Sequence, residues 1–173
     1  GEITTSTYID VTKIVRETLK RIGYTDPAYG IDFESCAVLC VIDEQSGDIA
    51  QGERGSGVHH AQGAGDQGMM FGYAIAETEH LMPLPITLAH GLTKKLAEAR
   101  KSGAIGFLRP DGKSQVTVEY DDQGKPRRVD TVVIAAQHHD TVTHREIKET
   151  IIEKIIRPVC GDFLDSHTRY LVN

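Results

Sequence analysis

The stretch that divides this chain is QSGDIAQGERGSGVHHAQGAGDQG, which runs from Gln45 to Gly68. It contains seven of the chain's 17 glycines and ends in the compact run GAGDQG. Glycine at this density lets the backbone adopt positive φ and approach a ligand closely, at an entropic cost. Because a loop of roughly 20 residues inside a compact domain is usually functional or disordered, we expect a mobile segment that a ligand orders.

The residues before this stretch predict one helix and one strand. Apolar residues recur at helical spacing over residues 8–22, with charged residues between them, and Gly23 ends the pattern. The run CAVLCVI, residues 36–42, is apolar without interruption and has the length of a strand. We therefore expect an amphipathic helix followed by a strand that is buried on both faces.

The residues after the stretch predict a second helix and a hairpin. Leucines and alanines over residues 85–100 fall on one helical face, and Ser102 and Gly103 close this helix. Residues 114–120 alternate as a strand, and residues 128–137 form its antiparallel return.

A third helix and a last strand complete the pattern. Thr143, with Glu146 three residues later, is typical of a capping box, and the isoleucine stripe that follows stops before Pro158. Residues 170–172 start one more strand. Helices interspersed with hairpin strands predict a two-layer α+β fold, in which the helices pack on one face of a mainly antiparallel sheet.

Composition excludes several classes of partner. The chain has 173 residues, a formal charge of −6 and a pI of about 5.7, so it lacks the basic surface that nucleic acid requires. No apolar run approaches the roughly 20 residues of a membrane span, so we expect no membrane partner. Cys36, Cys40 and Cys160 are an odd number without metal-type spacing, which favours reduced core thiols and a cytoplasmic location.

Four acidic or basic residues could carry chemistry. Asp111-Gly112-Lys113 is expected at a turn that enters a strand, where the lysine suits a phosphate and the aspartate suits ribose hydroxyls. An ordinary Asp-Gly turn with a solvated lysine explains the same pattern. Asp66 lies among glycines that let the backbone approach a ligand, but it also suits a turn or a helix N-cap. Glu2 faces a site or is a solvated acid.

The histidines do not predict a metal centre. Two adjacent pairs occur, at residues 59–60 and 138–139, but neither has cysteine or carboxylate partners at the spacing of a zinc site. The sequence also lacks a Ser-His-Asp pattern with positional support, a Walker-type phosphate loop and a dinucleotide fingerprint after a strand. These absences argue against a hydrolase and against the common nucleotide-binding folds.

Several long motifs together resemble one family. They are QSGDIAQG at residues 45–52, GAGDQG at 63–68, MFGYA at 70–74, LMPLPI at 81–86 and RPDGKSQVTVEY at 109–120. In this order they are similar to S-adenosylmethionine synthetase (methionine adenosyltransferase), and the similarity extends from GEITT at residues 1–5 to the end of the chain. The chain resembles a middle portion of that enzyme.

The resemblance implies a domain arrangement. Family subunits consist of three similar α/β domains, so residues 1–44 would end the first domain and residues 63–173 would form the central one. Residues 45–62 would be the mobile, glycine-rich active-site loop between them. Residues 1–44 would then lack the strands with which they pair, which predicts exposed sheet edges and apolar helix faces.

The resemblance also implies roles for particular residues. Methionine binding falls on Glu2, Gln45 and Asp48. ATP binding falls on Ile49, Asp111, Gly112 and Lys113, and the catalytic residues are Asp66 and Lys113. Asp66 would either stabilise the developing sulfonium or hold the nucleoside. Gly47 replaces the proline usual in the family, which should loosen the hinge of the loop.

The implied reaction forms S-adenosylmethionine from ATP and L-methionine, with release of phosphate and diphosphate. Mg²⁺ and K⁺ are the family's ions, and their ligands are expected outside this chain. Family members are homodimers or homotetramers whose active sites lie between subunits, so the fragment alone is expected to be inactive. The alternative is a non-catalytic relative that binds or regulates a full-length synthetase.

Overall fold

The computed structural model describes residues 1–55, 60–64 and 67–173, which form two compact units, Gly1–Gly72 and Tyr73–Asn173. The helices are α1 Val11–Ile22, α2 Gly47–Arg54, α3 Leu84–Lys101, α4 His144–Ile151 and α5 Arg157–Cys160. The strands are β1 Glu2–Ile3, β2 Asp43–Glu44, β3 Leu108–Tyr120, β4 Pro126–His138 and β5 Arg169–Val172. Among the described residues, no helix is long and apolar enough to cross a membrane. The boundary expected between residues 62 and 63 stays a prediction.

The second unit is built on a three-stranded sheet. Strands β3 and β4 pair antiparallel over most of their length, and β5 adds parallel to β4. A parallel neighbour needs a crossover connection, and the helical segment between β4 and β5 supplies it. The predicted hairpin and α+β class are confirmed, and β5 makes the sheet mixed.

One core joins the helices to a single face of this sheet. In α3 every fourth residue from Leu84 to Leu96 is buried, which is the spacing of one helical face. Val132 and Ile134 of β4 are fully buried on the same core. On β3 every second side chain from Asp111 to Glu119 is exposed, so the sheet's other face is open in this unit.

Helix α4, which is the third helix that the sequence predicted, continues further than expected. The Thr143 hydroxyl caps it by accepting from Glu146 N at 3.3 Å, as expected. It then passes through a π-helical turn, Ile152–Ile156, and ends at Cys160 rather than before Pro158. Proline has no N–H and its ring crowds the carbonyl four residues earlier. The wider π turn relieves that crowding, so the helix accommodates Pro158.

A charged network ties β4 to the turn before β5. The Arg128 guanidinium donates to Asp165 at 2.6 Å and to Glu119 at 2.9 Å, and Arg169 donates to Asp130 at 2.8 Å. The hydrogen bond from Arg128 holds the pKa of Asp165 well below its ordinary value. For Asp130, the Thr131 hydroxyl and then Arg169 lower the pKa in the same way.

This network predicts a dependence of stability on pH. Because folding depresses the pKa of Asp165, its contribution is present above the unfolded pKa of about 4 and is lost as the pH falls toward the folded value. The Asp165→Asn variant should therefore lose less stability than the wild type between pH 6 and pH 3, in urea titrations at each pH. Equal losses in the two proteins would contradict the assignment.

The first unit has little interior. Helix α1 begins at Val11 behind an Asp10 cap and buries no residue completely. The strand predicted over residues 36–42 is wrong, because this stretch has no regular structure and Leu39 is 94% exposed. In the described part of this unit, only the two-residue strands β1 and β2 pair, in parallel. An apolar run becomes an interior strand only where neighbouring strands and a second layer cover it, and the described part of this unit offers neither.

The burial of the cysteines differs between the two units in the same way. Cys160 is buried in the second unit, as predicted, and its burial raises the pKa of the thiol to about 11. Cys36 is half-buried and Cys40 is exposed, so the prediction of core thiols is wrong for these two. Arg16 instead holds the stretch around Cys36, by donating to the carbonyl oxygens of Phe33, Glu34 and Cys36 at 2.6 to 2.9 Å.

Because the two units differ in burial, a Leu→Ala substitution should affect the free energy of unfolding differently in each unit. Leu92→Ala empties a site that is 0% exposed and should cost about 2–5 kcal/mol of unfolding free energy. Leu39→Ala removes an exposed side chain and should change it by about 0.5 kcal/mol or less. Urea unfolding followed by circular dichroism measures both. Similar losses would mean that residues 36–42 are packed after all.

Candidate functional site

The segment Asp111-Gly112-Lys113 lies inside strand β3, not at the turn that the sequence predicted. Gly112 pairs with Ala136 and Lys113 with Ala135, whereas the next pair is Leu108 with His138. Residues 109–111 therefore lie opposite Gln137 alone, which makes this end of the hairpin an irregular bulge. Asp111 and Lys113 are two residues apart and both are exposed, so they lie on the same face of β3 beside this bulge.

A shallow cleft of about 260 Å³ opens at this bulge. Its lining comes from β3, from the end of β4 and from the residue after β5: Asp111, Lys113, Ala135, Ala136, Gln137, His138 and Asn173. The structure thus brings Asp111, Gly112 and Lys113 together at one site. Within the described part of the chain, neither Asp111 nor Lys113 has an ion-pair partner, and both residues line the cleft.

The other side of the bulge is fixed to helix α3. A Cβ atom at Gly112 would lie 3.4 Å from Leu96 Cδ1, so glycine allows β3 to pack closely against the helix. The Ser114 hydroxyl donates to Ala89 O of α3 at 2.7 Å. The backbone that carries Asp111 and Lys113 is therefore held by the core.

Two cleft residues were missed as functional candidates by the sequence analysis. Gln137 was predicted only as the last residue of a strand, and His138 was considered only as a metal ligand. The terminal oxygen of Gln137 is buried and has no hydrogen-bond partner among the described residues. His138 Nδ1 lies 2.7 Å from Ala136 O and so donates to it. Gln137 lies opposite residues 109–111, whereas His138 pairs with Leu108. Both positions follow from the register of β3 on β4, which no local pattern predicts.

The candidate methionine-binding residues lie in the first unit, on the ribbon formed by β1 and β2. Glu2 is exposed and pairs with Asp43, and Gln45 N donates to Ile3 O at 3.4 Å just beyond β2. Side chains alternate along a strand and paired residues share a face, so Glu2 and Gln45 lie on the same face of the ribbon. Gln45 also lines a hollow of about 380 Å³ beside α2.

The glycine-rich stretch is not loop throughout, because α2 forms within it. Asp48 lies in the first turn of α2 and accepts from Gln51 Nε2 at 3.5 Å, and Ile49 is exposed beside the buried Ala50. Gly55, at φ 64°, caps the helix. The expectation of a continuous loop is wrong for residues 47–54. Asp66 lies outside the described residues, so its role stays a prediction, as do the roles of the others.

Gly47 occupies the first position of α2, where proline is favoured because its φ suits a helix and its missing N–H is not needed. Gly47→Pro should stabilise α2 by about 0.4–1 kcal/mol and slow trypsin cleavage after Arg54. The matched change Gly52→Pro, inside the helix, should speed that cleavage. Faster cleavage in the Gly47→Pro variant would contradict the assigned helix start.

No group of three or more His, Cys, Asp or Glu side chains that could hold a metal ion is found among residues 1–55, 60–64 and 67–173. The cleft pairs one carboxylate with one ammonium group, and an ammonium disfavours a cation while it favours an anion such as phosphate. The site on β3 and β4 therefore fits a ligand that carries both negative charge and hydrogen-bond donors.

The fold and the site together define an α+β protein with a cleft on its sheet that suits an anion. Comparison with known proteins identifies the family. The family model described as S-adenosylmethionine synthetase, N-terminal domain, matches residues 1–47, and that of the central domain matches residues 61–173. The S-adenosylmethionine synthase of Syntrophobacter fumaroxidans is 54% identical over 175 aligned residues. The chain belongs to the S-adenosylmethionine synthetase family. The alignment covers 100% of the chain and 45% of that relative.

Proposed function

We propose that this chain provides part of the active site of a methionine adenosyltransferase, which forms S-adenosylmethionine from ATP and L-methionine. Family membership supports the reaction, and the single observation that carries the assignment to this chain is the cleft beside Asp111 and Lys113. In the reaction, the methionine sulfur attacks C5′ of the ATP ribose and the whole triphosphate leaves, before its hydrolysis to phosphate and diphosphate.

The residues of the cleft suit the nucleotide half of this reaction. The Lys113 ammonium offers a point charge to the triphosphate, whose negative charge becomes more concentrated as the bond to C5′ breaks. The Asp111 carboxylate accepts hydrogen bonds from ribose hydroxyls, and Gly112 keeps the backbone close to α3. Because no covalent enzyme intermediate is needed, the protein contributes alignment and charge stabilisation.

The ribbon and α2 suit the methionine half. Glu2 offers a carboxylate to the methionine ammonium group, and Gln45 on the same face offers an amide. Asp48 adds a second carboxylate in the first turn of α2, and Ile49 presents an exposed apolar side chain to the adenosine. Asp66 either stabilises the positive charge of the developing sulfonium or holds the nucleoside.

The ions and the assembly belong to the same proposal. Mg²⁺ and K⁺ would neutralise triphosphate charge, and we propose that residues outside this chain hold them, since the Lys113 cleft suits an anion. We also propose a homodimer or homotetramer in the cytoplasm, with each site completed by a partner subunit. The 173-residue chain alone should therefore form no S-adenosylmethionine.

A chimeric protein tests this proposal. This chain replaces the 45% of the Syntrophobacter fumaroxidans synthase that it matches, and S-adenosylmethionine formation is measured with and without Lys113→Ala. A hydrogen bond to a charged group contributes about 1.5–3 kcal/mol, so the variant should lose about tenfold to hundredfold in kcat/KM.

The matched control is Lys148→Ala, which removes the same charge from an exposed position on α4. This variant should keep the activity of the unmodified exchange protein. Equal activity of the Lys113→Ala protein, or equal losses in both variants, would contradict the role of the cleft.

A further inference from the structure

The second unit has a groove of about 460 Å³ that is lined by α3, by the segment before α3 and by α5. We call it the helix groove. It shares no lining residue with the cleft on β3 and β4, so it is a separate feature of this unit. Its volume lies within the roughly 300–1,000 Å³ that is usual for small-molecule sites.

Much of the lining of the helix groove is apolar. Met82, Ile86, Leu88 and Val159 contribute to it, and Met82 and Ile86 are 40% and 38% exposed. The two helices approach closely where residue 91 is glycine, since a Cβ atom at Gly91 would lie 3.0 Å from Val159 Cγ1. An apolar group placed in the groove would remove these side chains from water, which is favourable.

The charged groups of the helix groove have one sign. His80, His90 and Lys94 line it, and none of its described lining residues is acidic, although the chain carries a net charge of −6. Glu79 lies outside the lining, 3.4 Å from His80 Nε2. Lys94 has no ion-pair partner within the described part of the chain, so its ammonium group is available to a ligand.

Helix α3 orders these groups along the groove. Ile86, His90 and Lys94 recur at every fourth residue and are all exposed, so they form one stripe on the helix. A rise of about 1.5 Å per residue places Lys94 about 12 Å beyond Ile86. The stripe therefore has an apolar side chain at one end and a cation at the other.

We propose that the helix groove binds a small monoanion with an apolar body, such as an arylalkyl or alkyl carboxylate. The apolar body packs against Met82, Ile86 and Val159, and the carboxylate accepts a hydrogen bond from the Lys94 ammonium. One lysine matches one negative charge, whereas a polyphosphate has several charges and no apolar part. This site goes beyond the proposed function, because it needs neither ATP nor methionine.

Three probes with the same apolar body and different head groups test the proposal: 4-phenylbutyrate, 4-phenylbutanol and 4-phenylbutylamine. Each is titrated into the ¹⁵N-labelled chain and followed by amide ¹⁵N–¹H correlation spectra. 4-Phenylbutyrate should give saturable shifts at residues 80–94 and at Val159. It should bind about two- to fivefold more tightly than the alcohol, as expected for one exposed charge pair, and the amine should bind most weakly.

Two variants separate the charge from the apolar surface. Lys94→Gln should weaken binding of 4-phenylbutyrate about two- to fivefold and leave that of 4-phenylbutanol unchanged. Its matched control is Lys101→Gln, which removes the same charge from the exposed end of α3, outside the groove, and should bind as the wild type does. Ile86→Asn, at an exposed position, should weaken binding of both probes by similar factors.

Several results would overturn the proposal. These are equal affinities for the three probes, equal effects of Lys94→Gln and Lys101→Gln, and shifts confined to the exposed apolar residues of the first unit. Saturation-transfer NMR on the chimeric synthase tests the groove in a complete subunit. Loss of 4-phenylbutyrate binding there would mean that the rest of the subunit or a second copy occupies the groove, and the assignment to a small ligand would be wrong.

Discussion

The antiparallel pairing of β3 with β4 is the constraint on which the second unit depends. Its regular part aligns alternate side chains with the core under α3, and the same alternation leaves Asp111 and Lys113 exposed on the open face. The close packing of Gly112 on Leu96 fixes the backbone at the point where the register changes. The same pairing therefore produces both the core and the cleft.

The two units differ in how much side-chain burial supports them. The second has a continuous core, whereas α1 in the first buries no residue completely and Leu39 is almost fully exposed. Segments that rearrange around ligands generally belong to the least stable parts of a protein. The candidate methionine-binding residues Glu2 and Gln45 lie in such a part, while the candidate nucleotide residues Asp111, Gly112 and Lys113 lie on the sheet of the second unit.

Local patterns predicted the features whose cause is local. The leucines of α3 repeat at helical spacing, Thr143 caps its helix, and the hairpin strands alternate, so these elements could be identified from sequence. The strand over residues 36–42 failed because an apolar run shows a tendency to be buried but not whether neighbours exist to bury it. The helix beyond Pro158 depends on a π turn, and Gln137 lies in the cleft through the register of β3 on β4, both of which arise from tertiary packing.

The proposed function requires that a nucleotide bind beside the bulge between β3 and β4. The most direct measurement is an amide ¹⁵N–¹H correlation spectrum of the ¹⁵N-labelled chain, titrated with ATP. The largest shifts should fall on residues 111–113 and 135–138, while the signals of α4 should not move. Shifts confined to α4 and α5, or no saturable shifts at residues 111–113, would contradict it.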